Sequence, residues 1–205
     1  MSTMPIRIKV SVVGPSGVGK TQLVHRHRYN TFCQDHVPTV GIDYVSWTTP
    51  DRKLSLGVWD AGGDPRFRSI SCAYLQAAYA LIFVFDLTRR DSLVELDEIV
   101  AETSHLSTSA SVRLLVGTHL DAVGECAVSD ADIERFQLRH RIDAFYPCSS
   151  RTGTNVNLVF AGLIERVQPA AAATSESFSA AALVTPPEKK IDVWAIVRSY
   201  LSCCS

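Results

Sequence analysis

Apolar runs and helical repeats alternate along this chain. The stretch Ile6-Arg7-Ile8-Lys9-Val10-Ser11-Val12-Val13 alternates at first and then turns mostly apolar. This predicts a strand whose early residues Arg7 and Lys9 lie near solvent and whose later residues are covered on both faces. Gln22 to Tyr29 predicts a helix, and Phe32 to Pro38 is polar and turn-like. Gly41 to Thr49 and Lys53 to Trp59 predict two strands joined at Pro50-Asp51. So short a link requires them to pair antiparallel. Ala80 to Phe85 is wholly apolar, as a buried strand is, and Leu93, Leu96, Ile99 and Val100 then repeat at helical spacing. Val112 to Val116 reads as a strand interrupted only by Arg113, Ile133 to Leu138 as a short helix, and Phe145-Tyr146-Pro147 as the last strand. A final helix is expected over Val156 to Val167. Strands alternating with helices predict an α/β fold. It is a doubly wound, mostly parallel sheet with one antiparallel strand and helices on both faces. From Pro169 the composition turns to Ala, Ser, Thr and paired Pro186-Pro187. Residues 1–168 are therefore read as the folded domain and 169–205 as a flexible tail. Ile191 to Leu201 is too short to span a bilayer.

The chemistry concentrates after the first strand. Gly14-Pro15-Ser16-Gly17-Val18-Gly19-Lys20-Thr21 follows the pattern G-x-x-x-x-G-K-S/T between a strand and a helix. That context is what a phosphate-binding loop requires. Gly14, Gly17 and Gly19 let successive N–H groups, including those of Ser16 and Val18, converge on phosphate oxygens. The helix that starts near Gly19 aims its positive end at the same anion. Lys20 would reach the β- and γ-phosphates, and the Thr21 hydroxyl would bind Mg2+. A bare glycine turn is the alternative. The other polar clusters also fall at carboxyl ends of strands, after Trp59, after Val116 and after Tyr146, where ligands bind in such sheets.

Composition narrows the function classes. Of 205 residues 46% are hydrophobic and 20% charged, as in an ordinary globular domain. A net charge of -1 gives no electrostatic footprint for nucleic acid. Met1 to Pro5 lacks a signal-peptide pattern, and Ser2 stands where N-myristoylation needs glycine. Cys33, Cys72, Cys126 and Cys148 are scattered and read as reduced cytosolic thiols. The 6 histidines lack ligand spacing and read as surface residues.

In its ordered set of motifs the chain resembles the Ras superfamily of small GTPases, and within it the Rab family. The resemblance covers about residues 6–168 and the last few. Val40-Gly41-Ile42-Asp43-Tyr44 matches the stretch after the first switch threonine. Lys53-Leu54 to Trp59-Asp60, then Arg66-Phe67-Arg68-Ser69-Ile70, matches the second switch region. Val116-Gly117-Thr118-His119-Leu120-Asp121 looks like the guanine-recognition motif, and Cys148-Ser149-Ser150-Arg151-Thr152-Gly153 resembles the loop that supports the base. The resemblance implies a P-loop NTPase fold with GTP or GDP and Mg2+ as ligands. Thr21, Thr39 and Asp60 would hold the metal, and Gly63 would sense the γ-phosphate. Phe32, Thr118, His119, Asp121, Ser149, Ser150 and Arg151 would surround the base. Read without the resemblance, Thr39 is a strand-start residue, Asp60 a strand-terminating one, Phe32 a core aromatic and Thr118-His119 a plain strand exit. Asp121 carries base choice, because a carboxylate accepts from guanine N1–H and N2–H2 but meets an acceptor in adenine.

The departures from the family set further expectations. The family places Asn and Lys where Thr118 and His119 stand, which implies weaker nucleotide binding. It reads D-T-A-G-Q-E where this chain has Asp60-Ala61-Gly62-Gly63-Asp64-Pro65. Asp64 replaces the water-positioning Gln among the catalytic residues Lys20, Gly63 and Asp64. It lacks a donor, and its charge opposes the phosphate's, so intrinsic hydrolysis is expected to be slow. Activators that bring their own arginine and glutamine would restore it. Leu201-Ser202-Cys203-Cys204-Ser205 resembles the Rab ending that takes two geranylgeranyl groups on Cys203 and Cys204. Two unmodified tail cysteines are the plain alternative. The implied protein is a monomeric, lipid-anchored switch on the cytoplasmic face of an endomembrane, with a cytosolic pool. Its expected partners are effectors at the Thr39 and Asp64 regions, an exchange factor, a GTPase activator and a prenyl-lipid carrier. A non-hydrolysing scaffold that recruits effectors is the second reading. Rho-type and Arf-type GTPases fit less well, lacking room for an inserted helix in Ala122 to Ser129 and lacking glycine at Ser2.

Overall fold

The structure, a computed structural model, describes residues 4–34, 38–64, 78–103 and 112–176. Its strands are β1 (Ile6–Val13), β2 (Ile42–Thr48), β3 (Leu54–Ala61), β4 (Ala80–Asp86), β5 (Val112–Thr118) and β6 (Ala144–Pro147). Its α-helices are α1 (Lys20–Tyr29), α2 (Arg90–Thr103), α3 (Asp130–His140) and α4 (Val156–Glu176). The strands form one sheet in the order β2-β3-β1-β4-β5-β6. Among the described residues only the β2–β3 pair is antiparallel; β1 pairs parallel with both β3 and β4. The strand order thus reverses at β1, and the loop after it opens into the crevice where doubly wound sheets bind ligands.

Both faces of the sheet are covered, which explains the sequence of β4. Ala80, Ile82 and Val84 point to one core cluster, with Leu23, Val24 and Phe160 from α1 and α4. Leu81, Phe83 and Phe85 point to the other, with Leu93, Leu96, Ile99 and Val100 from α2 and Ile133 and Phe136 from α3. Period-2 alternation puts every second side chain on each face, so a strand covered twice carries no polar residue until its end. That end is Asp86. In β1 the exposed Arg7 and half-buried Lys9 occupy the solvent end, as expected, and Lys9 Nζ lies 5.8 Å from the Trp59 ring centroid. Each fully buried large apolar side chain contributes roughly 1.5–3 kcal/mol.

Two expectations are corrected. The last helix does not stop at Val167 but continues to Glu176. The run Ala170 to Ala173 explains this, since alanine is the strongest helix former and outweighs a single Pro169. The histidines are not all on the surface. His27 stacks on Phe160 with ring centroids 4.0 Å apart and also meets Trp47, tying α1 to α4. Burial there pushes its pKa below the ordinary value, against the hydrogen bond with Asn157. His140 is buried, with Nε2 2.5 Å from Asp97 Oδ1, linking α3 to α2. Helical spacing showed neither, because what covers these rings comes from another helix. Residues 65–77 and 177–205 lie outside the described residues, and with them Pro65, Arg66 to Ile70, Cys72, Cys203 and Cys204.

Gly162 in α4 yields a prediction of unusual sign. Glycine to alanine inside a helix ordinarily adds about 1 kcal/mol of stability. Here a Cβ would stand 2.0 Å from the hydroxyl of buried Tyr146, which Arg166 holds by a 3.2 Å hydrogen bond. Gly162→Ala is expected to lower stability by roughly 1–3 kcal/mol in urea unfolding, the range for overpacking. A stabilised variant would show that Tyr146 moves freely.

Candidate functional site

The loop after β1 is fixed by what it touches. Gly14 packs so closely on β4 that a Cβ there would stand 2.1 Å from the Val84 carbonyl oxygen. Gly17 and Gly19 have φ of 75° and 87°, in the left-handed region where side chains are strained. The turn therefore needs its glycines for two different reasons, one steric and one conformational. Lys20 begins α1 but folds back, and its Nζ donates to the carbonyls of Gly14 at 2.8 Å and Pro15 at 2.7 Å. Burial lowers its pKa to about 8, although Asp60 and Glu95 act to raise it. The ammonium is thereby held in the mouth of the loop.

Three oxygens meet beside it. The Thr21 hydroxyl donates to Asp60 Oδ2, and Thr39 Oγ lies 2.7 Å from Thr21 Oγ. A hydroxyl has one proton, so Thr39 must be the donor to Thr21. Asp60 is buried, and among the described residues its Oδ1 has no hydrogen-bond partner. Burial pushes its pKa up, against the hydrogen bond from Thr21 and the charge of Lys20. An orphaned buried carboxylate oxygen beside two hydroxyls is a hard, all-oxygen donor set, and it fits Mg2+. Among the described residues no group of three or more His, Cys, Asp or Glu converges for a metal. A cation here would therefore need ligand oxygens, such as phosphate, to complete its shell.

The segment after β3 closes over the loop. Gly62 N–H donates to the Gly41 carbonyl at 2.8 Å, and a Cβ on Gly62 would come within 2.6 Å of the Thr39 carbonyl. A Cβ on Gly63 would stand 2.4 Å from Ser16 N. The two segments that flank the metal oxygens are thus joined to one another and to the phosphate loop by bare backbone. Asp64 follows, half-buried.

At the far side, Thr118 ends β5 with its hydroxyl 2.7 Å from the Val18 carbonyl and 2.9 Å from that of Phe85. It ties the loop to the sheet. His119 adopts a left-handed φ of 60°, and its Cε1 would lie 3.9 Å from a Cβ on Gly19. Asp121 sits in a 3-10 turn, Leu120–Glu125, where Ser149 Oγ donates to its Oδ1 at 2.6 Å and Arg151 approaches Oδ2 at 3.9 Å. Buried Ser149 also accepts from Thr152 N–H, and Ser150 is buried with no partner for its hydroxyl among the described residues. Phe32, just beyond α1, is 38% exposed.

Sequence reasoning had missed three residues that hold these parts in place. Arg26 on α1 donates from Nε to the Ser150 carbonyl at 2.6 Å and from Nη2 to the Arg151 carbonyl. Arg89 donates to Asp86 Oδ2 at 3.2 Å and reaches the Ser16 carbonyl at 3.4 Å. Asp86 is buried and also accepts from Thr88. The available signal was Asp86 itself, a lone acid at the carboxyl end of an apolar strand. Arg26 left none, because a basic residue in the last turn of a helix has an ordinary place there.

A model of the Ras family matches residues 9–169. The chain belongs to the Ras family. Within it the chain is a divergent Rab member. It is 34% identical over 201 residues to the Ras-related protein RABC1 of Arabidopsis thaliana, covering 96% of this chain and 93% of the relative. It is 34% identical over 172 residues to RABA3 of the same plant, covering 80% and 72% of the two chains. With Rab-26 of Mus musculus the identity is 33% over 175 residues, covering 83% and 67%. Ras-family proteins bind GTP or GDP, typically with Mg2+, and are GTPases as a family. Departures of this Rab chain include Thr118 and His119 at the end of β5, Gly62 in the segment after β3, and Asp64 after the bare pair Gly62-Gly63.

Proposed function

We propose that this protein is a GTP-binding switch of membrane traffic, cycling between GDP and GTP forms with slow intrinsic hydrolysis. The observation that carries the reading is the oxygen set Thr21, Thr39 and Asp60 beside Lys20. Thr39 belongs to the segment before β2 and Gly63 to the segment after β3. A ligand that draws both inward orders the two together, through the Gly62–Gly41 hydrogen bond. The bound Mg2+ would supply charge neutralisation across the phosphates. Lys20 binds the phosphates, Gly63 offers its N–H to the terminal one, and Asp121 reads the base with Ser149 fixing its carboxylate. Exposed Val40 and Tyr44, beside Thr39, offer apolar surface for an effector. The tail carries Cys203 and Cys204 as lipid sites. Among the described residues no helix is long and apolar enough to cross a membrane, so attachment in this reading rests on the lipids and on a carrier that shields them.

Asp64 favours a second reading, a GTP-loaded recruiter of effectors that does not hydrolyse. Single-turnover hydrolysis separates the two, since the switch turns over slowly and the recruiter not at all.

The nucleotide assignment is tested by calorimetry with Mg2+. GTP and GDP are expected to bind far more tightly than ATP. Lys20→Ala should abolish binding and Asp121→Ala should relax base choice. Equal affinity of the wild type for ATP and GTP would defeat the guanine assignment.

The lipid assignment is tested in cells. Cys203→Ser with Cys204→Ser should release the protein from membranes, and either single change should mislocalise it, because one chain binds only marginally. An unmodified C-terminus by mass spectrometry would remove the claim.

Hydrolysis is tested at Asp64. Asp64→Gln should raise intrinsic turnover on the order of tenfold, equivalent to about 1.4 kcal/mol of barrier. Adding Pro65→Glu should raise it further, by freeing the backbone of Asp64 from the bias that a following proline imposes. Ordinary Rab turnover in the wild type, unchanged by Asp64→Gln, would mean that another residue positions the water.

A further inference from the structure

Asp86 and His119 form a pair that the nucleotide-site reading does not use. Asp86 ends β4 and His119 follows β5, and the two strands are paired in register through Asp86 and Thr118. His119 Nδ1 lies 3.1 Å from Asp86 Oδ1 and 3.1 Å from the Thr118 hydroxyl oxygen. Both neighbours can accept. Asp86 is a carboxylate, and Thr118 directs its own proton to the Val18 or Phe85 carbonyl. Nδ1 must therefore carry a hydrogen and donate. This fixes the tautomer and leaves Nε2 as the atom that gains or loses a proton. The His119 side chain is 45% exposed, so Nε2 exchanges with solvent, while Asp86 is only 7% exposed.

We propose that Asp86 is a positioning residue that locks the His119 imidazole beside the phosphate loop, so that nucleotide release depends on the charge of His119. The inference rests on the nucleotide-site reading and adds a regulated property to it. The family's lysine at this place is always charged; a histidine is not. Charged groups face the ring from each element packed on it: Asp86 from β4, Asp121 from the 3-10 turn and Arg89 from the turn after β4. The hydrogen bond with Asp86 raises the His119 pKa above the ordinary value, with Asp121 adding to it, and burial and Arg89 oppose it. Burial pushes Asp86 up, but the bonds from His119 and Thr88 outweigh it and hold its carboxyl below the usual carboxylate range. The carboxylate thus stays ionised throughout the window in which the imidazole titrates.

The sign follows. Below its raised pKa, His119 is an imidazolium. It attracts the phosphates and presents a cation to the π-face of a base. As pH rises through that pKa the charge is lost and the nucleotide leaves faster. By reciprocity a bound nucleotide raises the pKa further. One charge a few ångströms from an anion at the water-exposed limit corresponds to on the order of fivefold in rate.

The test is the release rate of fluorescent methylanthraniloyl-GDP from the full-length protein with Mg2+, measured from pH 6 to pH 8. Wild type is expected to release about fivefold faster at the alkaline end. His119→Lys should flatten the profile, because lysine stays charged across the range. Asp86→Asn should move the His119 step to lower pH, a shift that a merely structural role for Asp86 would not produce. The His119 ring nitrogens, followed by NMR, report the tautomer and the same midpoint in wild type, so the inference does not depend on Asp86→Asn folding. A flat wild-type profile, a step unchanged in His119→Lys, or an Nε2–H tautomer in the neutral ring would overturn the inference. Failure of the labelled GDP to bind at all would instead overturn the nucleotide reading on which it rests.

Discussion

A carboxylate removed from water with one oxygen unpartnered is the group the rest of this site answers to. Asp60 ends β3 inside the sheet, and burial penalises its charge. Its one hydrogen bond comes from Thr21, at the start of α1, and Thr39 reaches the carboxylate only through Thr21. The helix after the phosphate loop, the strand beneath it and the segment before β2 are thereby held to one point. An unpaired buried acid costs several kcal/mol unless a cation or a proton arrives. A ligand that brought a cation would offset that cost. Such a ligand would draw in the Thr39 and Gly63 segments together, because the two are joined by the backbone hydrogen bond between Gly62 and Gly41.

The departures from the family differ in what each place requires. Where backbone approaches backbone, glycine stands: a Cβ on Gly14, Gly62 or Gly63 would fall within 2.1, 2.6 or 2.4 Å of a neighbouring main chain, and at Gly62 glycine replaces the alanine of the family pattern. No rearrangement short of opening the loop accommodates that. Where a side chain supplies a hydrogen bond, exchange is possible if the replacement reaches the same acceptor. Thr118 keeps a donor at its place, its hydroxyl standing between the Val18 and Phe85 carbonyls. His119 takes the place of a flexible cation with a flat ring that needs a fixed partner, and Asp86 is that partner. Asp64 is the exception. It exchanges an amide for a carboxylate, which has no proton to donate.

The sheet was legible because each strand meets two different neighbours. Ala80 to Phe85 had to be buried on both faces, and the pair Gly41 to Thr49 and Lys53 to Trp59 had too short a link for anything but antiparallel pairing. The phosphate loop and Asp60 were legible because their spacing encodes a geometry. Contacts between elements far apart in sequence were not. His27 reads as a surface residue until Phe160 is laid on it, and Arg26 as an ordinary last-turn cation until the Ser150 loop is brought over it. The end of α4 was missed for a local reason: the change of composition from Pro169 reads as a flexible tail, whereas the alanines after it sustain a helix. Which side chains gather at the carboxyl ends of the strands was readable; what holds those side chains still was not.

Two acids at the ends of neighbouring strands show how that difference arises. Asp60 closes β3 and Asp86 closes β4, one on either side of β1 and its loop. Both are buried, and desolvation acts on both in the same direction. Their pKa values nevertheless move apart, Asp60 upward and Asp86 downward. The distinction is in the donors. Asp86 accepts from Thr88 N–H and hydroxyl, from Arg89 and from His119, so its charge is met within the protein. Asp60 accepts from Thr21 and keeps Oδ1 open. A satisfied buried acid orients its neighbours and gains nothing from a ligand, whereas an under-satisfied one gains most from a cation. The same residue type, at the ends of strands on either side of β1, is thus a satisfied fixture on one side of the loop and an under-satisfied acid on the other. Hydrogen-bond accounting, rather than position in the fold, tells them apart.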